Sequence, residues 1–124
     1  MQQGKNTGMK GTPEGMRLLM ANEPLVYREV ISATLRELRA HLEVYTTEPT
    51  NLDKEFQRLS PGLVLCSRRT QLIERKACAW VELYPQHTSG AVVSLAGKKT
   101  TFKEMHFDTL LSIVDEAERL HESA

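Results

Sequence analysis

The chain has 124 residues, 40% hydrophobic and 26% charged, with sixteen basic residues balanced by sixteen acidic ones. That length suits one domain with a core of its own, and zero net charge removes the long-range field that draws proteins to nucleic acid or anionic lipid. No apolar run reaches the roughly 20 residues of a membrane helix, no apolar signal-peptide stretch opens the chain, and Cys66 and Cys78 are too few for a disulfide framework, so a cytoplasmic protein with reduced thiols is expected.

Residues 1–15, "MQQGKNTGMKGTPEG", carry Gly and polar side chains without periodicity and are expected to be a flexible tail, with Met16 as an alternative start. "MRLLMA" (16–21) is a short apolar run that fits a buried strand. Pro24 then suits the first turn of a helix, where its missing N–H costs nothing. Tyr27, Val30, Ile31, Thr34, Leu35 and Leu38 recur at helical spacing, while Arg28, Glu29, Arg36, Glu37 and Arg39 lie mostly off that stripe, which predicts a helix laying the first set on a sheet. "LEVYTT" (42–47) alternates as a half-exposed strand does. Thr50 and Asp53 resemble a capping box ahead of a short amphipathic helix through Leu52, Phe56 and Leu59, which Ser60-Pro61-Gly62 ends.

"LVLC" (63–66) is apolar throughout, as a central strand covered on both faces would be. A short helical crossover around Leu72 and Ile73 leads to the strand "AWVELY" (79–84). The next link, "PQHTSG" (85–90), has half of the dozen or so residues a parallel crossover needs, so "AVVSL" (91–95) is predicted to run antiparallel to its predecessor. A hairpin at 96–99 returns the chain as "TTFKE" (100–104), and Phe107, Leu110, Leu111, Val114 and Ala117 mark one face of a last helix with Asp108 near its start. The order gives one α/β domain over 16–121: a three-layer sandwich with parallel strands in the order 2-1-3-4, continued by an antiparallel meander and closed by a C-terminal helix.

On these residues the first 67 positions resemble the opening of a response-regulator receiver domain of bacterial signalling. "RLLMANEPLVYREVISATLREL" stands where that family has a strand, an acidic pair and its first helix; "LEVYTTEP" and "PGLVLCS" follow its second strand and the strand that ends in the phosphorylated aspartate. The resemblance implies a receiver-like fold and a role in signal transduction. Position by position, Asn22 and Glu23 occupy the acidic pair, Ser67 the phosphoacceptor, Tyr84 the neighbourhood of the family's hydroxyl residue, and Lys98 or Lys99 the lysine after the fifth strand. Ser67 cannot form an acyl phosphate, and losing two carboxylates weakens a divalent-metal site. The resemblance therefore implies a degenerate receiver that phosphorylation does not switch. No output domain follows within the chain, so a signal is expected to pass through contacts.

In an open α/β sheet ligands gather beyond the carboxyl ends of the strands, where Asn22, Glu23, Glu48, Ser67, Arg68 and Arg69 are expected to meet. The arginines there suit an anionic ligand; the plainer reading pairs them with Glu23 or Glu48. Cys66 beside them invites a nucleophilic reading, yet the cysteine-phosphatase loop would need Arg where Leu72 stands, and a strand-terminal Cys ordinarily packs as a small hydrophobe. The histidines, His41, His87, His106 and His121, have no metal-ligand spacing, and nucleotide-binding and hydrolase motifs are missing. No metal or cofactor is expected. Trp80 and Tyr84 share a strand at even spacing, which predicts one common face. The meander strands carry Val92, Val93, Leu95 and Phe102, more apolar surface than one terminal helix covers, so Val93, Leu95 and Phe102 with Leu111 of the last helix are a candidate interface, with Lys103 and Glu104 blunting the edge. The expected function is a non-enzymatic, receiver-like regulatory protein that binds another protein, as a homodimer; the alternative is a sensor of a nucleotide or other anionic ligand at the strand-end cleft.

Overall fold

A computed structural model describes residues 15–123. The expected tail, apart from Gly15, lies outside these residues. Elements follow in the order β1 (Arg17–Ala21), α1 (Leu25–Leu38), β2 (Glu43–Thr46), α2 (Leu52–Leu59), β3 (Leu63–Cys66), α3 (Gln71–Lys76), β4 (Ala79–Leu83), β5 (Ala91–Leu95), β6 (Lys98–Phe102) and α4 (Phe107–Ser123), with 3-10 turns at Pro49–Asn51 and Pro85–His87.

All six strands form one mixed sheet in the order β2-β1-β3-β4-β5-β6. β2, β1, β3 and β4 run parallel, and β5 and β6 continue antiparallel. The fold is thus α/β, with the predicted strand order and a C-terminal helix. The reversal after β4 occurs at the short 85–90 link, where Gln86 and His87, and Tyr84 just before it, take left-handed backbone angles. Successive strand residues enter different apolar clusters. Leu18, Met20, Leu63, Leu65 and Val81 join Leu35 of α1 and Leu110, Val114 and Ala117 of α4. Leu19, Val64, Cys66 and Trp80 join Leu52 and Leu59 of α2 and Ile73 of α3.

Local chemistry explains the ends of the elements. Thr70 caps α3, its hydroxyl accepting from the Ile73 N–H at 3.1 Å, and the same hydroxyl donates to Asp53 at 2.6 Å. Asp53 therefore ties α2 to α3. The capping box expected of Thr50 and Asp53 does not form; a 3-10 turn precedes α2 and Asn51 stands at its N-cap without a side-chain bond. Pro24 is the N-cap of α1 rather than its first helical residue.

The largest departure from expectation is the rotation of α1. Its buried residues are Arg28, Ser32 and Leu35, whereas Leu25, Val26, Tyr27, Val30 and Leu38 are exposed by 52, 55, 44, 57 and 46%. The predicted inner stripe faces outward except for Leu35 and the partly buried Ile31 and Thr34. Arg28 lies inside because Glu48 meets it: its Nη2 reaches both Glu48 oxygens at 3.3 Å, and its aliphatic stem can lie along apolar surface. Ser32 satisfies its own hydroxyl on the Glu29 carbonyl at 3.2 Å. Half-exposing five apolar side chains forgoes on the order of 1 kcal/mol each of burial energy.

The β5–β6 hairpin is tighter than predicted. Leu95 pairs with Lys98, so the turn is the two residues Ala96-Gly97, with φ of 52° and 85°. Both central residues of such a turn need positive φ, and an alanine there is strained by about 1 kcal/mol. Ala96→Asn is expected to raise stability by about 0.5–1 kcal/mol, read as a higher urea midpoint at unchanged slope; a lower midpoint would count against this reading of the turn.

Candidate functional site

Residues after β1 and β3 meet beyond the carboxyl ends of the parallel strands. Ser67 is at the centre: its Oγ accepts from the Glu23 N–H at 2.6 Å and from Asn22 Nδ2 at 3.4 Å, and donates to the Glu23 carbonyl at 3.3 Å. Asn22, 1% exposed, also donates to the Leu83 carbonyl at 3.2 Å, so one amide joins the ends of β1, β3 and β4. Its Oδ1 is buried without a partner among the described residues. The predicted trio of Asn22, Glu23 and Ser67 does come together, and its hydrogen bonds are spent on closing the elbow.

The two arginines part company. Arg68 is exposed. The Arg69 N–H donates to Glu82 at 2.9 Å, its Nε lies 3.5 Å from Glu74, and its guanidinium stacks 4.9 Å above the Trp80 ring. Arg69 Nη1 is buried with no partner among the described residues. Neither arginine meets Glu48, which Arg28 occupies. Glu82 is a cleft residue that the strand reading passed over; the signal was its parity with Trp80, which sends both to the α3 side.

Cys66 packs among Leu19, Val64 and Trp80. Burial first, then the nearby Glu82 charge, pushes its thiol up to about 12. The nucleophile reading fails on that environment. Tyr84 does not share a face with Trp80: its left-handed backbone turns the ring toward the α1–α4 cluster, where it lies edge-on to Tyr27 at 5.8 Å and its hydroxyl donates to the Met105 carbonyl at 2.8 Å. Burial raises the Tyr84 hydroxyl above its ordinary range.

Lys98 and Lys99 are at the wrong end of the sheet to serve the cleft. β5 runs antiparallel, so its last residue, Leu95, pairs with Ala79, the first residue of β4. Lys99 instead bonds Glu74 at 2.7 Å and lies 6.0 Å from the Trp80 ring. Lys103, just past β6, is the lysine that the topology carries to the cleft end, since Phe102 pairs with Ala91 and Ala91 with Leu83.

Of the residues offered as an interface, Val93, Leu95 and Phe102 lie on the meander and Leu111 on α4. Val93 is 3% exposed, and Leu95, Phe102 and Leu111 are partly buried against the same cluster. Lys103 and Glu104 lie beyond β6, whose edge is blunted by Lys98 and Lys99 instead. Among the described residues the exposed large hydrophobics are those of α1. An open groove of about 550 Å³ separates α1 from the end of β2; Arg28 and Arg36 line it together with Glu29 and Glu48, so its charges balance. His41 pairs with Glu118 at 2.7 Å. Among the described residues no three His, Cys, Asp or Glu side chains gather as a metal site would require, and no helix is long and apolar enough to cross a membrane.

Set beside known proteins, the chain matches no family model, no curated protein and no solved structure.

With its thiol held up to about 12, Cys66 is expected to stay unmodified by a thiol reagent at pH 8, while exposed Cys78 reacts. Native protein should titrate one thiol and denatured protein two; rapid labelling of Cys66 in the folded state would refute this.

Proposed function

We propose that the chain is a receiver-like, non-catalytic regulatory protein of the cytoplasm that acts by binding another protein, and that α1 is its docking face. The observation that carries this reading is the outward apolar side of α1, Val26, Tyr27, Val30 and Leu38, on a helix whose buried side holds an arginine and a serine. Contiguous apolar patches on a folded chain mark interaction sites. The receiver-like part of the reading is supported by the 2-1-3-4 parallel order and by the meeting of Asn22, Glu23 and Ser67 beyond β1 and β3. The two apolar clusters, one sharing α1 and α4 and the other α2 and α3, support a three-layer sandwich.

The site chemistry favours contact over catalysis. Ser67 already engages both the N–H and the carbonyl of Glu23, and a hydroxyl in that role is neither an acyl-phosphate former nor a nucleophile with an adjacent base. The ligand-sensor reading keeps one argument: Asn22 Oδ1 and Arg69 Nη1 are buried polar atoms without partners among the described residues, a state that ordinarily calls for a ligand or water. The open groove, however, lies at α1 and β2, and its balanced charges give an anion no net attraction.

Two outcomes are expected. Incubation with acetyl phosphate and Mg²⁺ should leave the intact mass unchanged; a stable phosphoryl adduct would overturn the non-phosphorylatable reading. A benzophenone photocrosslinker at Val30, in protein expressed in its native host, should yield protein adducts, whereas the same group at exposed Lys54 should not. No adduct at Val30 would remove α1 as a docking face.

A further inference from the structure

The face of α1 is not only apolar but self-complementary in charge. At 100° per residue, Tyr27 and Leu38 fall on one flank of the exposed stripe, Glu29 and Arg36 on the other, and Val26, Val30 and Ala33 run between them. Tyr27 and Leu38 are equidistant from the point between Ser32 and Ala33, and so are Glu29 and Arg36. A two-fold axis at that point, crossing the helix at right angles, lays a second α1 antiparallel on the first. It keeps each flank on its own side, so Tyr27 meets Leu38 of the other copy and Glu29 meets Arg36 of the other copy. Both contacts occur twice.

We infer that the partner of α1 is the α1 of a second copy of this chain, in an isologous, antiparallel pairing centred between Ser32 and Ala33. The inference rests on α1 being a docking face and names its occupant. Two-fold pairing demands a surface that complements itself, and a helix with its free acid one turn from the N-terminal end and its free base near the C-terminal end meets that demand. Val26, Tyr27, Val30 and Leu38 supply the apolar contact, on the scale of a functional patch. The charged flank and the Tyr27–Tyr84 pair extend it toward the roughly 800 Å² per partner of a standard interface. Arg36 can serve the partner while holding its own chain, since only its Nη2 is committed, to the Val44 carbonyl at 2.8 Å, and a guanidinium has five donors. Glu37 is the one charge within the stripe and opposes the pairing, which sets the dimer in the moderate-affinity range.

Sedimentation of the full chain over about 1 to 500 µM tests this. The wild type should pass from monomer to dimer. Val30→Glu should abolish the dimer and leave the melting temperature unchanged at about 1 µM, where the wild type is monomeric, because the residue is solvent-exposed, and Glu37→Ala should tighten it. Glu29→Arg and Arg36→Glu should each weaken association about tenfold, and the two together should restore it. A wild type that stays monomeric throughout, a dimer indifferent to Val30→Glu, or a charge swap that fails to rescue would overturn the pairing. The Val30 photocrosslink separates this from the broader reading. An adduct of twice the chain mass supports self-pairing; adducts only of other masses overturn it while α1 remains a docking face; no adduct removes both.

Discussion

An arginine inside a small protein must find an opposite charge or be expelled, because an unpaired buried cation costs several kcal/mol. Here Arg28 finds Glu48, and that pair sets the rotation of α1. With Arg28 turned in, Ser32 and Leu35 follow it on the same side, and Val26 and Val30 have only the outer side left. The groove at β2, the reach of Arg36 to the Val44 carbonyl and the apolar patch all follow from this one choice of rotation. Across the layer, Arg39 bonds Asp115 at 2.8 and 3.0 Å and holds its carboxyl below the usual range, tying the end of α1 to α4. The helix is thus pinned by ions at both ends while its middle faces water.

The second constraint is the brevity of the 85–90 link. Six residues cannot carry a crossover helix, so β5 returns beside β4 and the chain reverses through three left-handed residues. That reversal decides which end of the sheet each later residue reaches. It sends Lys98 and Lys99 away from Ser67 and brings Lys103 toward the cleft end. It also leaves the α3 side of the meander without a helix, and there Arg69 and Lys99 lie over Trp80, a cationic cover whose attraction to the ring face stands in for apolar packing.

Much of this was legible in the residues. The strands announced themselves as apolar runs between Pro and Gly punctuation, the link length gave the antiparallel turn, and both long helices fell where periodicity put them. What the pattern could not give was the rotation of α1. Tyr27, Val30, Ile31, Thr34, Leu35 and Leu38 fit one stripe, but the Arg28, Ser32, Leu35 row fits the same helix and wins through Glu48, twenty residues away, a pairing that no local window contains. The parity rule failed at Tyr84 for a related reason: it assumes extended backbone, and the left-handed turn at the strand end reverses the side chain. The site was legible as a meeting of Asn22, Glu23 and Ser67, since order along the sheet fixes which strand ends are neighbours. Its inwardness was not, because whether a hydroxyl faces solvent or a peptide is decided by distances of a few tenths of an ångström.

The two rims of the sheet meet water differently from its middle. At β2 the Arg36 guanidinium has taken the Val44 carbonyl, so one acceptor that an incoming strand would need is engaged. At β6, exposed along most of its length, the outermost strand begins with Lys98 and Lys99, and two copies meeting there parallel and in register would face like charge. Sheet growth from molecule to molecule, the route by which exposed edges turn a solution of folded chains into fibres, is therefore hindered at each end by a cation. The same arginine that guards one rim keeps donors beyond the one it gives to Val44, so a single side chain bears on both how this protein avoids endless assembly and how it could assemble once and stop.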